Sequence, residues 1–263
     1  RICFINKLDR MGASFEHSLQ SIYERLTPNA VAVTIPIGHE QEHEAVIDLM
    51  RMKAVYFNGV HGDDIELRDI PETLKASADE WHHKMVEKIA ESDDALTEKY
   101  LEGKEIPLEE LRHALRRATL AARLVPVFCG SALKNKGVQL VLDGVVDYLP
   151  SPIDLPPVRG MNEKTGAEEQ READPSAPFA GIAFKLQSDP FVGQLTFFRV
   201  YSGTLKAGSY VLNSVKDEQE RVGRILRMHA NSREELKEIS AGNIGAIVGL
   251  KNTHTGDTIC DPE

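Results

Sequence analysis

Apolar residues recur along this chain in three rhythms. Residues 2–5 and 125–129 are unbroken apolar runs, the pattern of strands buried on both faces of a parallel sheet. Phe15, Leu19, Ile22, Tyr23 and Leu26 recur at helical spacing behind Ser14, with Glu16 and Glu24 on the polar side and Pro28 beyond. This predicts an amphipathic helix over 14–26. Val138, Leu142, Val145, Val146 and Leu149 predict another over 137–149, packed by that side and stopped by Pro150-Ser151-Pro152. Residues 30–37, rich in β-branched side chains, read as one strand.

The middle of the chain changes character near Gly38. Residues 45–49, 52–57 and 65–70 read as short strands of a small sheet, with turn signals at Asn58-Gly59 and His61-Gly62-Asp63. Helices are predicted over 71–92, which carries Trp81, over 93–101, and over 108–123, with Gly103 and Pro107 as the breaks. Residues 153–178 are rich in Pro, Glu and Gly without periodicity, a linker with one exposed hairpin around 162–166. From Phe179 onward, short strands at 180–186, 193–201, 210–214, 220–229 and 244–250 alternate with Gly turns, which predicts an antiparallel barrel.

At 263 residues two domains are expected. No apolar stretch reaches transmembrane length and no charged-then-apolar leader opens the chain. Cys3, Cys129 and Cys260 are widely spaced, which argues against a disulfide framework or zinc site and for thiols in a reducing cytoplasm. The net charge of −10 speaks against a generic polycationic nucleic-acid binder. The acidity is local: residues 38–123 hold 12 Lys+Arg against 20 Asp+Glu, whereas residues 174–263 hold 10 against 11.

The candidate chemistry sits where the two apolar runs end. Asn6-Lys7-Leu8-Asp9 follows the first, and ligands of open α/β sheets bind outside the carboxyl ends of strands. P-loop GTPases read guanine with Asn-Lys-x-Asp. A carboxylate only accepts hydrogen bonds, and guanine offers two adjacent donors, the ring N1–H and the exocyclic amine. Asp9 would bond both and be left unpaired against adenine. Lys7 could lay its aliphatic stem along the base, and Asn6 could brace the loop. The plain alternative is a polar turn with Asp9 as a helix cap. Gly130-Ser131-Ala132-Leu133, after the second run, decides between them, because P-loop GTPases pair the first motif with a later Ser-Ala-x turn. There the backbone N–H near Ala132 would meet the guanine carbonyl, and Ser131 would orient Asp9.

With both halves in view the chain resembles bacterial elongation factor G. The strings that carry the likeness are FINKLDRMGASF, AVIDLMRMKAVYFN, EKYLEG, PVFCGSALKNKGVQLVLDGVVDYLPSP, FRVYSGTLKAG and AGNIGAIVGLKNTHTGDTICD. The resemblance implies an α/β P-loop GTPase domain over 1–152, with an α+β insertion at about 28–122, then a linker and a translation-factor β-barrel over 179–263. It implies a GTPase that moves tRNA and mRNA on the ribosome, binding GTP or GDP through Asn6, Lys7, Asp9, Ser131, Ala132 and Leu133, as a cytoplasmic monomer away from membranes. Partners implied are small-subunit RNA for the barrel and the ribosomal stalk protein for the acidic insertion around Glu87, Glu91 and Asp94. No Gly-x-x-x-x-Gly-Lys-Ser/Thr string occurs, and Asp9-Arg10-Met11-Gly12 fits the switch II pattern only by overlap. The chain is therefore expected to be a piece that starts inside the sheet, lacks the ligands for phosphate and Mg²⁺, and is inactive alone. The alternatives are a non-catalytic ribosome-binding module, or a paralogue of the ribosome-protection or release type.

Other signals carry plainer readings. His82-His83 point about 100° apart on a helix and read as a solvated face rather than a metal site. Glu80, Glu87, Glu91 and Asp94 fall on one predicted helical face. Lys134 and Lys136 read as solvated loop lysines. Arg221, Arg224 and Arg227 lie on one predicted strand, on alternating faces.

Overall fold

The computed structural model describes residues 1–59, 62–162, 165–229 and 232–262. His61 of the predicted turn and Glu163-Lys164 of the predicted hairpin tip lie outside them. The chain divides into two compact units, Arg1–Leu149 and Pro150–Glu263.

The first unit opens with β1 (Cys3–Ile5), α1 (Phe15–Arg25) and β2 (Ala30–Ala32). It continues through β3 (Thr34–Ile37), β4 (Ala45–Asp48), β5 (Lys53–Asn58) and β6 (Asp64–Arg68). The helices α2 (Glu72–Ala90), α3 (Asp94–Leu101) and α4 (Leu108–Leu120) come next, followed by β7 (Val125–Cys129) and α5 (Val138–Tyr148). β7 is the centre of a three-stranded parallel sheet, with β1 on one side and β2 on the other. β3 to β6 form a separate antiparallel sheet in chain order.

Residues 30–37 are thus two strands in two sheets, not one. The break is Val33, whose N–H bonds Val127 O at 2.9 Å in the parallel sheet while its carbonyl accepts Leu49 N–H at 3.0 Å at the start of the other. Ser14 caps α1, its hydroxyl accepting the His17 N–H. Asp93 caps α3 through Leu96 N–H. Asp94 therefore begins a new helix and does not share a face with Glu80, Glu87 and Glu91, and the acidic stripe is partly neutralised by the Glu80–Lys84 and Glu91–Lys88 pairs.

α5 packs by a different side from the one its leucines and valines mark. Leu142 and Val146 are 60% and 77% exposed, whereas Leu140, Gly144 and Tyr148 are buried. The reason is Gly144: a Cβ there would lie 2.3 Å from Phe128 Cζ, so the bare backbone admits the Phe128 ring. Arg116 of α4 then donates to the carbonyls of Val146, Asp147 and Leu149, satisfying acceptors that a helix end leaves free.

The second unit begins with a hairpin, β8 (Val158–Met161) and β9 (Glu168–Arg171). Its sheet is built from β10 (Ala180–Asp189), β11 (Gly193–Ser202), β13 (Tyr210–Asn213) and β14 (Glu218–Arg221), with β15 (Arg224–His229), β16 (Ser232–Leu236), β18 (Ile244–Val248) and β19 (Thr258–Cys260). β12 (Thr204–Lys206) and β17 (Glu238–Ser240) pair separately. All pairings are antiparallel, in the order β14-β13-β19-β10-β11-β18-β15-β16, around Phe179, Phe198, Val200, Ile225, Ile247 and Ile259. β14 and β16 do not pair with each other among the described residues, and Val222-Gly223, between β14 and β15, bonds Ser209 at 2.9 Å on one side and Val248 at 3.1 Å on the other. The predicted strand 220–229 is divided at Gly223, where a Cβ would stand 2.4 Å from Val248 O. Arg221 is thereby on β14, with Arg224 and Arg227 on β15, where the latter two face Glu235 and Glu234.

Gly144→Ala is expected to destabilise the first unit by about 1–3 kcal/mol through overpacking against Phe128, whereas Leu142→Ala should stay within about 0.5 kcal/mol. Urea unfolding midpoints of the two variants check this, and equal effects would contradict the packing of α5.

Candidate functional site

The parallel pairing of β1 with β7 sets Ile5 beside Cys129 and delivers two loops to the same end of the sheet. Gly130 N–H bonds Ile5 O at 3.0 Å and Leu8 N–H bonds Gly130 O at 3.2 Å, while Leu8 is buried and anchors the first loop. Residues 122 positions apart in sequence are thereby in contact.

Ser131 Oγ donates to Asp9 Oδ1 at 2.6 Å. Ala132 N–H donates to Asn6 Oδ1 at 2.9 Å, and the same oxygen accepts Lys7 N–H at 2.7 Å. Asn6 thus bridges the two loops. The expected donor was a backbone N–H near Ala132; that of Ala132 itself is turned to Asn6, and the neighbouring Leu133 N–H has no hydrogen bond among the described residues. Leu133's side chain is exposed. Lys7 holds a left-handed φ of 66°, a conformation uncommon outside glycine that clusters at functional sites. The Ser131 hydroxyl is the main cause holding the Asp9 carboxyl below the usual carboxylate range; Arg10 and Lys134 add to it, and partial burial opposes it.

Two glycines make the second loop possible. A Cβ on Gly130 would lie 2.1 Å from Lys136 O, and one on Gly137 would lie 2.4 Å from Cys129 O. Ser131 and Lys136 exchange both backbone hydrogen bonds at 2.9 Å across this turn. Thr34 fixes its root, accepting Cys129 N–H at 2.9 Å and donating to the Cys129 sulfur at 3.5 Å. Burial pushes that thiol up to about 12, so it is an inert packing group.

Sequence reasoning missed three neighbours of these loops. Glu40 accepts Gly12 N–H at 2.7 Å. Lys136 is not a solvated loop lysine, since its ammonium donates to His43 O at 2.8 Å. His43 is buried with neither ring nitrogen hydrogen-bonded among the described residues, and burial, with Lys136 nearby, lowers its pKa to about 4, so the ring is neutral at neutral pH. Only the closeness of Gly130 and Gly137 hinted at a tight turn there.

A separate groove of about 740 Å³ lies in the inserted region, lined by Met50, Met52, Val86, Tyr100, Ile106 and Leu108 among others. His82 Nδ1 meets Leu49 O at 2.7 Å and is half-buried, whereas His83 Nε2 meets Tyr100 Oη at 2.9 Å on an exposed face. No group of three His, Cys, Asp or Glu able to hold a metal occurs among the described residues. The two loops thus bring together a carboxylate held ionised, one of its oxygens occupied by the Ser131 hydroxyl, and the backbone N–H of Leu133. Among the described residues no helix is long and apolar enough to cross a membrane.

The family model for the elongation factor Tu GTP-binding domain matches residues 1–151, and that for elongation factor Tu domain 2 matches residues 193–260. A crystal structure of a protein from Thermus thermophilus is similar over 100% of this chain and 36% of its own, with a TM-score of 0.78 and 25% identity. The chain thus spans about a third of the length of that protein. These matches correct the resemblance drawn from sequence strings. The expectation was a piece of elongation factor G that starts inside the sheet and lacks the phosphate half. The GTP-binding-domain match instead runs from residue 1, and the family it shows is that of elongation factor Tu.

Ser131→Ala should raise the Asp9 pKa toward the ordinary carboxylate value, followed by NMR titration of the side-chain carboxyl carbon. Because the folded pKa is depressed, the stabilisation from ionised Asp9 is present above its unfolded value and is lost as pH falls through the folded one. The variant should lose part of that acid-side dependence. An unchanged titration would remove Ser131 as the cause.

Proposed function

The chain belongs to the elongation factor Tu GTP-binding domain family, and on that premise we propose that Asn6, Lys7, Asp9, Ser131, Ala132 and Leu133 read the guanine of GTP or GDP for a ribosome-dependent GTP hydrolase. The observation that carries this is the Ser131–Asp9 hydrogen bond, which turns one carboxylate oxygen to the protein and aligns the carboxylate edge for two adjacent donors. Asn6 locks the loops, Lys7 supplies a stem for the base face, and the Leu133 N–H is placed to donate to the base carbonyl. The pairing of a translation-factor GTP-binding domain with domain 2 supports ribosome binding. Within translation, the strings quoted above favour translocation of tRNA and mRNA.

The partner surfaces are proposed on the same footing. The β-rich unit, near neutral in charge, is assigned to small-subunit RNA. The exposed carboxylates Glu87, Glu91 and Asp94 lie on either side of the α2–α3 junction along the chain and are assigned to the stalk protein. Exposed charges act mainly on encounter rate. Reversing these three to Lys should slow ribosome-stimulated hydrolysis and flatten its salt dependence, and unchanged stimulation across a salt series would count against this surface.

Base reading has its own test. Hydrogen bonds to a charged group contribute about 1.5–3 kcal/mol each, so two at Asp9 give roughly 3–6 kcal/mol of discrimination if additive. Asp9→Asn replaces an acceptor with a donor. Xanthine carries a carbonyl where guanine carries its amine, and so fits the new donor. The variant should lose affinity for GTP and gain it for xanthosine triphosphate in competition binding. Retained preference for GTP would leave Asp9 as a turn residue.

A further inference from the structure

The turn between β3 and β4 reaches both base loops at once. Gly38, at φ +81°, folds the chain so tightly that a Cβ there would lie 2.0 Å from Glu42 O. Glu40 follows at φ 51°, a left-handed conformation that is strained for a non-glycine residue and persists only where surroundings hold it. What it gains is the contact of its carboxylate with Gly12 N–H, just beyond Asp9. His43, 3% exposed, fixes the other end of the turn by packing, and its carbonyl receives the Lys136 ammonium. Lys136 is bonded backbone to backbone with Ser131, whose hydroxyl holds Asp9. A second loop of the same sheet adds to this: Gln139 Nε2 donates to Gly62 O at 2.9 Å, and a Cβ on Gly62 would be 3.0 Å from the carbonyls of Lys134 and Asn135.

We propose that Glu40 and Lys136 are positioning residues of the guanine site, through which the β3–β6 sheet sets the spacing of the two base loops and hence how long a guanine nucleotide stays bound. This rests on the base reading given above. Both contacts join the sheet to a loop rather than to another core element. A displacement of the β3–β4 turn would move the Asn6–Gly12 loop through Glu40 and the Ser131–Lys136 turn through Lys136. Loops with few buried contacts open locally, and such opening is where a pair of tethers acts most strongly.

The experiment uses the full chain with Glu40→Ala, Lys136→Met and Lys136→Arg. Amide hydrogen exchange is followed over residues 6–13 and 130–137, and GDP release is followed alongside. Loss of one hydrogen bond to a charged group should speed exchange in the tethered loop and accelerate GDP release by roughly tenfold, with protection of α1 and α5 unchanged and Lys136→Arg restoring wild-type values. Wild-type exchange in both loops of Glu40→Ala and Lys136→Met, or a loss spread equally over α1 and α5, would overturn the proposal. Asp9→Asn separates the two readings. If it leaves nucleotide preference unchanged, the base assignment falls, while the exchange data on the tethers still decide whether the turn positions the loops.

Discussion

The hydrogen bond from Ser131 to Asp9 depends on nearly everything else in the first unit. A carboxylate at a loop tip is free to rotate and to pair with solvent. Held by a hydroxyl at 2.6 Å, it presents a fixed edge and stays ionised. The hydroxyl is in turn placed by the Ser131–Lys136 backbone pair, which needs Gly130 and Gly137, and by β7, which needs β1 and β2 on its two sides. The carboxylate geometry is thus set by backbone pairing several residues away, the kind of preorganisation that makes a short polar motif selective.

Much of this was legible because the signals were local or paired. The two apolar runs became the two strands whose ends carry the motifs, and the helix boundaries followed caps at Ser14 and Asp93. What stayed hidden was tertiary. Nothing in the order of residues says that Val33 serves two sheets, or that Gly144, an apparent weak point in a helix, is where Phe128 enters. Apolar counting chose the wrong face of α5 because it scored Leu142 and Val146 above a glycine. It likewise joined strands across Gly223, where the close approach of Val248 O requires the missing side chain.

Charge was the least legible property of all. A loop lysine and a turn glutamate have no pattern of their own, and Lys136 and Glu40 acquired partners only through the fold of the β3–β4 turn. The acidic helices illustrate the reverse. Spacing grouped Asp94 with Glu87 and Glu91, yet the cap at Asp93 starts a new helix between them.

The way the inserted region is hung on the parallel sheet bears on the order in which the unit can assemble. Ala30 pairs with Val125, so the insertion leaves and re-enters the sheet at adjacent points. Formed from the unfolded chain, the contact between Asp9 and Ser131 would close a loop of 122 residues. If residues 34–124 fold first, their own ends are already neighbours, and the remaining loop is about four times shorter. Closure entropy grows as the logarithm of loop length, so the gain is only about 1 kcal/mol. It falls, however, on the step before any long-range contact rewards the chain, where topology governs rate. The meeting of its two ends in the parallel sheet is thus a topological device: it shortens the last loop to be closed and brings the ends of β1 and β7 to each other.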